Sequence, residues 1–417
     1  MTLPRLLAGV DRAPITYDRH VRVHGDLAAG RSTLATTIER SGLRGRGGGG
    51  FPLAIKLAAV RRARGTPIVI VNGCEGEPMS AKDRLLLSAT PHLVLDGAFA
   101  VARAIGAAEI IVALDEIDVR TGETVQAALA ERPELTRKGV VAQIVWVPGG
   151  YVSGQESALV RWCNSGVAKP LPATPRVTER GVGRRPTLVS NAETLAHVAL
   201  IARHGADWFR ALGTDDDPGS TLITLSGAVD RPGVYETEPG TSLASLLNAA
   251  GGLAEPARAF LIGGYAGGWI DAAAMVTVRL TRRDLQRAGG RLGAGIVVAL
   301  PHSACPVAEV AEVAGWLADQ SSGQCGPCVH GLAAVADELD RICRGSAEPD
   351  SLERVTRWCE LSAGRGACAH PDGTAGFVTS ALSVFAEEFL DHAQYGPCDA
   401  CDHSPVLSTP VQAATAV

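Results

Sequence analysis

Residues 66–72, TPIVIVN, and 109–114, EIIVAL, are short apolar runs rich in β-branched residues, and residues 140–147, VVAQIVWV, form a third. Between the first two lies TPHLVLDGAFAVARAIG, in which Val94, Ala98, Val101 and Ile105 recur at helical spacing. Thr90 stands at the N-cap position and Pro91 at the first helical residue. Strand, helix, strand in succession restricts the chain to a layered α/β domain, which we extend to residues 1–215.

The texture then changes. STLITLSGAVDRPGVYETEPGTSLASLLNAAGG alternates strand-like runs with turns at residues 230–233 and 239–240, then offers a helix capped by Thr241 or Ser242. This predicts a small α+β module over residues 216–300. Beyond it the periodicity is helical. Val310, Val313 and Leu317 mark one helix, and Leu332, Val335, Leu339 and Ile342 a second. Leu352, Val355 and Cys359 mark a third, and Val378, Leu382, Phe385 and Phe389 a fourth. A four-helix bundle with cysteines at its loops is expected over residues 301–395, followed by a Cys-containing, otherwise disordered tail at 396–417.

The 417 residues carry 39 basic and 44 acidic side chains, a net charge of -5, which argues against nucleic acid or an anionic membrane surface as partner. The most apolar window, residues 91–114, is broken by Asp96, Arg103 and Glu109, so no direct membrane insertion is expected. The opening MTLPRLLAGVDRAP does not read as an export signal, and a cytoplasmic, reducing location is expected. Of the ten cysteines, Cys325, Cys328, Cys368, Cys398 and Cys401 lie in the last hundred residues, where Cys343 and Cys359 also stand singly, a distribution that points to metal rather than disulfides.

Residues 41–57, SGLRGRGGGGFPLAIKL, bring Gly45, Gly47, Gly48, Gly49 and Gly50 together with Arg44 and Arg46 ahead of a helix start at Pro52. Residues without Cβ let backbone N–H groups converge on an anion, a following helix N-terminus adds its positive end, and Lys56 adds a point charge. A flexible linker is the other reading, and Phe51-Pro52 with the Leu53, Leu57 spacing speaks against it. The pattern is neither a P-loop nor G-x-G-x-x-G after a strand. Directly after the first strand, GCEGEPMSAKDR sets Glu75 and Glu77 at a strand's carboxyl end, where α/β sheets bind ligands and where carboxylates accept from ribose or ribityl hydroxyls. Gln155 and Glu156, in YVSGQESALV, occupy a similar turn after the third strand; a solvated acidic turn is the alternative for both. Cys325 and Cys328, in QSSGQCGPCVHG, have the spacing that begins a cubane-cluster loop, with Ser322 where a further cysteine would stand.

In order, GLRGRGGGGFP, NGCEGEPMSAKDR, PHLVLDGAFAVARAIGA, YVSGQESALV, GRRPTLVSNAETLAHV and SGQCGPC resemble the flavoprotein subunit of respiratory complex I. The same family supplies the diaphorase subunits of NAD-reducing hydrogenases and formate dehydrogenases. The resemblance implies a Rossmann-like FMN domain, an SLBB β-grasp module and a helical bundle holding a 4Fe–4S cluster. By position, it implies FMN contacts from Gly45, Arg46, Gly47, Lys56, Asn72, Glu75, Gly154 and Asn191, and NADH facing Phe51, Glu77 and Glu156.

The chain departs from the family in four places. Cys74 replaces an aspartate and Gln155 a glutamate, making the flavin's surroundings less negative, which by electrostatics raises its potential. Ala59 and Thr178 stand where the family presents phenylalanines to the dinucleotide, and each lost stacking pair costs on the order of 1 kcal/mol. The aligned cluster ligands reduce to Cys325, Cys328 and Cys368, with Ser322 a poor oxygen substitute. Three outcomes are open: Ser322 or water completes the cluster; Cys398 or Cys401 folds back to do so, with Cys305 a more remote candidate; or there is no cluster. Cys398 and Cys401 can also join a zinc site, helped by His330, His370 or His392.

The function expected is an FMN-dependent NADH dehydrogenase module that passes electrons through the cluster to a partner subunit or ferredoxin. No side chain is assigned a nucleophilic or acid–base role, because the flavin carries the chemistry. The competing expectations are a ferredoxin-linked flavoprotein that does not use NADH and a zinc-stabilised interaction subunit without cofactor.

Overall fold

The three apolar runs become β1 (Ile68–Asn72), β2 (Glu109–Asp115) and β3 (Val141–Val147) in a computed structural model that describes residues 3–11, 13–27, 33–132, 139–171 and 174–410. A fourth strand, β4 (Thr187–Asn191), completes an all-parallel sheet of order β3-β2-β1-β4. Parallel neighbours require long crossovers. One of these, the Pro91–Ile105 helix, is buried along most of its length between the sheet and the Ala192–Arg210 helix. Thr90 does not cap it as expected: its hydroxyl donates to the carbonyl of Leu86 at 3.2 Å, closing the preceding Lys82–Ala89 helix instead. Asp96, buried inside this packing, sits 2.6 Å from Arg132 and also pairs with Arg203 and His20. Burial opposes its charge, but the His20 hydrogen bond and the two guanidinium groups hold the carboxyl well below the usual range.

Because β2 and β3 lie on one side of β1 and β4 on the other, the chain changes direction between β1 and β4. Their carboxyl ends therefore part to leave a crevice. Asn72 and Asn191 terminate the two strands in register at its mouth.

β5 (Thr221–Gly227), β6 (Gly233–Thr237), β7 (Ala257–Ile262), β8 (Gly268–Asp271) and β9 (Ile296–Pro301) form a second sheet, ordered β6-β5-β9-β7-β8, with β5 and β9 parallel. The cap of its Leu243–Ala249 helix is Ser242, whose hydroxyl accepts from the Ser245 amide at 3.1 Å. Leu243, Leu246 and Leu247 then bury against Ile223, Leu225 and Val297.

The C-terminal region is helical: Pro306–Asp319, Ala333–Cys343, Ser351–Ser362, His370–Val384 and Ala386–Tyr395. The expected fourth helix is thus two, broken at Phe385 (φ -113°, ψ 34°). The break lets both Phe377 and Phe385 reach Trp269 of β8, at ring-centroid distances of 5.9 and 5.1 Å.

The tail also departs from expectation. Leu407 is buried, the Val406 and Leu407 amides donate to Glu309 at 2.7 and 2.8 Å, and the Tyr265 hydroxyl donates to the Ser408 carbonyl at 2.7 Å. Apolar burial and satisfied backbone groups order this segment despite its composition; residues 411–417 of the expected disordered tail lie outside the described residues. Among the described residues no single helix is long and apolar enough to cross a membrane. The nearest candidate is a pair, Lys82–Ala89 and Pro91–Ile105, bent by 95°.

Candidate flavin and iron–sulfur site

A cavity of about 720 Å³ opens at the β1/β4 crevice, within the size range of small-ligand sites. Gly45, Gly47, Gly49 and Gly50 form one wall, and Asn72, Gly154 and Asn191 its floor. Ala367 and Cys368 of the helical region stand at another edge. A methyl at Gly47 would lie 3.2 Å from Asn191 Cβ, and Gly50 adopts φ +58° with Arg282 occupying the place of its missing side chain. The loop is therefore built from glycine for close approach and for its turn.

Of the sequence-predicted contacts, Gly45, Gly47, Phe51, Lys56, Asn72, Gly154, Glu156 and Asn191 line this cavity. Lys56 Nζ pairs with Glu156 at 2.7 Å and donates to the Val189 carbonyl at 3.2 Å, so cation and carboxylate are fixed against each other. Asn191 caps the Ala192–Arg210 helix through the Glu193 amide at 3.1 Å and donates to Asp83 at 2.6 Å. Beneath it, fully buried Lys82 pairs with Asp83 and Glu193 at 2.8 and 3.1 Å. The ammonium offsets the burial of Glu193, whose carboxyl is held down at about 2.

Three predicted contacts turn elsewhere. The Arg46 amide donates to Thr194 at 2.9 Å, but its buried guanidinium points away to the Pro218 carbonyl at 3.1 Å. Glu75 accepts from the amides of Asp83 and Arg84, both at 3.1 Å, and from the Ser80 hydroxyl, which commits it to the start of the Lys82–Ala89 helix. Glu77 accepts from the Tyr265 amide at 2.9 Å and the Tyr151 hydroxyl at 3.3 Å, joining the first domain to the second. Burial raises its carboxyl to about 8. A strand-end position alone did not reveal that these carboxylates face the protein interior rather than the crevice.

The departures lie close to the cavity. Gln155 lines it and caps the Glu156–Ser165 helix by accepting from the Ser157 and Ala158 amides at 2.8 and 3.0 Å, as a carboxylate would but without charge. Cys74 is buried next to Gly154, and burial with the neighbouring Asp115 keeps its thiol protonated far above the ordinary range. Ala59 and Thr178 both line the cavity, and the buried Thr178 hydroxyl has no hydrogen-bond partner among the described residues.

Cys325, Cys328 and Cys368 are brought together. Burial raises the Cys368 and Cys328 thiols, opposed by the nearby His370 amide and Ser321 hydroxyl respectively, and at Cys325 burial is outweighed by the nearby Ala367 and Cys328 amides, which lower the thiol. Such donors are those that tune cluster sulfurs, so the three cysteines fit an iron–sulfur group. Ser322 Oγ instead accepts from Gln324 Nε2 at 3.4 Å, because that amide turns back over it. Gln324 also donates to the Pro170 carbonyl at 2.9 Å and accepts from Arg161 at 2.7 Å, pinning the loop to the first domain. Cys305, Cys398 and Cys401 are not beside this set; with His392 they form a separate group in which all ligand atoms lie within 4.8 Å of one another.

A parallel α/β domain with a ligand crevice, a β-grasp module, and three cysteines brought together from two segments, one of them at the crevice edge, define a flavin- and iron–sulfur-binding protein. Residues 38–200 match the Nuo51 FMN-binding domain, 222–264 the SLBB domain, and 308–392 the NADH-ubiquinone oxidoreductase-F iron-sulfur binding region. A NADH-quinone oxidoreductase subunit of Rhizobium meliloti is 33% identical over 378 residues, covering 88% of this chain and 90% of that protein. The corresponding NADH-quinone oxidoreductase subunit of Mycobacterium bovis is 30% identical over 405 residues, covering 92% and 91%. A chain of the NAD+-reducing NiFe hydrogenase in the air-oxidized state superposes with a TM-score of 0.85 at 30% identity, covering 98% of this chain and 69% of that one. The chain belongs to the NADH-quinone oxidoreductase-F family.

Proposed function

We propose that the protein is an FMN-dependent NADH dehydrogenase module that delivers electrons through an iron–sulfur cluster to a partner subunit. The observation that carries the reading is the shared cavity, with the glycine loop and the paired Asn72 and Asn191 on one side and Cys368 on the other. Bound FMN supplies the conversion of a two-electron hydride into single electrons.

The chain's own residues bind and orient. Gly45 and Gly47, without side chains, would let the FMN phosphate approach backbone N–H groups, and Asn72, Gly154 and Asn191 would hold the cofactor from the cavity floor. Phe51, half exposed at the cavity wall, offers a face for the nicotinamide dinucleotide, and the Lys56–Glu156 pair fixes the polar groups beside it. Cys325, Cys328 and Cys368 hold the cluster, and Gln324 fixes their loop to the flavin domain. Membership of a family of complex subunits supports an electron-accepting protein partner, and a soluble arm in the cytoplasm is the setting that suits it.

A second reading rests on Ala59 and Thr178, small residues on the wall of the same cavity. With fewer rings to stack on, a ferredoxin rather than NADH supplies the electrons. An anaerobic visible spectrum with iron and acid-labile sulfide analysis, before and after NADH, separates the two. A flavin band bleached by NADH supports the dehydrogenase. Flavin bleached by reduced ferredoxin but not by NADH supports the second reading, and protein reconstituted with FMN that stays colourless overturns both.

A further inference from the structure

We propose that Cys305, His392, Cys398 and Cys401 form a structural zinc site that anchors the C-terminal segment as a strap across the junction of all three domains. Cys305 is the N-cap of the Pro306–Asp319 helix, His392 lies in the last turn of the Ala386–Tyr395 helix, and Cys398 and Cys401 belong to the turn at Asp399–Asp402 and its cap. Only the fold brings these elements together: 87 residues separate Cys305 from His392.

The distances match tetrahedral zinc. Zinc–sulfur bonds of about 2.3 Å and zinc–nitrogen bonds of about 2.05 Å at tetrahedral angles place ligand sulfurs about 3.8 Å apart and sulfur and nitrogen about 3.6 Å apart. Here Cys401 and Cys305 sulfurs are 3.5 Å apart, Cys398 and Cys401 3.9 Å, and Cys305 Sγ and His392 Nε2 3.5 Å. All ten cysteines are free thiols, and the 3.5 Å between Cys305 and Cys401 is far beyond a disulfide bond of about 2.05 Å. Three thiolates and one imidazole are a closed structural set for zinc, with no position left for substrate. The Ala308 amide donates to Cys305 Sγ at 3.4 Å, an outer contact of the kind that orients a metal-bound thiolate.

Beyond Cys401 the chain crosses the Pro306–Asp319 helix, docking Val406 and Leu407 on Glu309. The Trp316 indole then donates to the Pro410 carbonyl at 2.9 Å. The Ser408 amide reaches Met79 Sδ at 3.4 Å, two residues from Glu77, and Tyr265 of the β-grasp module holds the Ser408 carbonyl. Fixing Cys398 and Cys401 by metal thus fixes a strap that touches the flavin domain, the β-grasp module and the helical region.

The site is independent of the redox reading, and one set of samples tests them separately. Zinc, iron, sulfide and flavin are measured on the full chain produced with zinc and iron supplied, alongside a Cys398→Ser/Cys401→Ser double variant. We expect one zinc per chain, lost in the double variant while flavin and iron are unchanged, and cobalt substitution giving the intense visible bands of a tetrahedral thiolate site. Faster hydrogen exchange over residues 398–410 accompanies the loss. If the double variant does not fold, Cys398→Ala, at the most exposed ligand, must release zinc to a chelator at least tenfold faster than the parent. A parent without zinc, a double variant that keeps it, or iron lost in its place overturns the proposal. Zinc without flavin sinks the redox reading alone.

Discussion

Two separate groups of cysteines lie in the helical region, and their surroundings differ in a way that separates their chemistry. Cys368 lines the large cavity, Cys325 and Cys328 are its neighbours, and backbone amides of Ala367, Cys328 and His370 lie close enough to act on the Cys325 and Cys368 thiols. Cys305, Cys398 and Cys401 close with His392 around a single point, and that group is the one metal-sized cluster among the described residues. A cubane spreads its protein ligands around several metal atoms, whereas a lone tetrahedral ion draws them together. The first arrangement suits electron transfer at a ligand cavity; the second suits holding chain segments in place.

The largest expected effect breaks the comparison if it crosses over. Cys328→Ser should abolish bound iron and sulfide and electron delivery to an acceptor, while zinc content and the melting temperature stay near those of the parent. Paired metal analysis and melting curves read both sides, and zinc lost from Cys328→Ser would merge the two groups into one. Next, Glu309→Ala leaves the Val406 and Leu407 amides without their acceptor, at a cost of about 2 kcal/mol. The expected signature is a lower melting temperature and faster hydrogen exchange in the strap, with the flavin spectrum unchanged.

Smaller effects sharpen the redox side. Phe51→Ala should raise the KM for NADH about fivefold, the equivalent of about 1 kcal/mol of ring stacking, while leaving zinc untouched. Ala59→Phe should act in the opposite direction, and steady-state kinetics on the two variants decide whether the cavity uses rings to hold the dinucleotide. The smallest effect concerns Glu77, raised to about 8 by burial. The folded state keeps a proton that the unfolded chain releases at ordinary carboxyl values, so this group's contribution to stability declines as pH rises toward 8 and levels off above it. Glu77→Gln removes that decline, so its melting temperature relative to the parent should improve from pH 5 to pH 8.5; a constant difference would show that Glu77 does not titrate in this range.

The sequence was most legible where structure is local. The strand runs, the helix cap at Thr241 or Ser242, which the structure gives to Ser242, and the glycine loop are set by side-chain periodicity, capping and backbone freedom within a few residues. β4 escaped because TLVSN is short and runs straight into its helix, and only its register with β1 makes Asn191 the counterpart of Asn72. Charged residues near the crevice were recognised as a set, yet Arg46, Glu75 and Glu77 face inward. Their direction depends on partners at Pro218, the Lys82–Ala89 helix and Tyr265.

By itself, then, the sequence determined the first three strands, the helices with clear periodicity, the glycine loop and the Cys325–Cys328 pair, because each is written in neighbouring residues. Tertiary structure alone decided that Cys368 reaches the cavity edge, that Ser321 rather than Ser322 turns to the cysteines, and that Cys401 meets Cys305 instead of the cluster loop. Those outcomes depend on which distant segments pack together, and packing joins residues that spacing along the chain leaves unrelated.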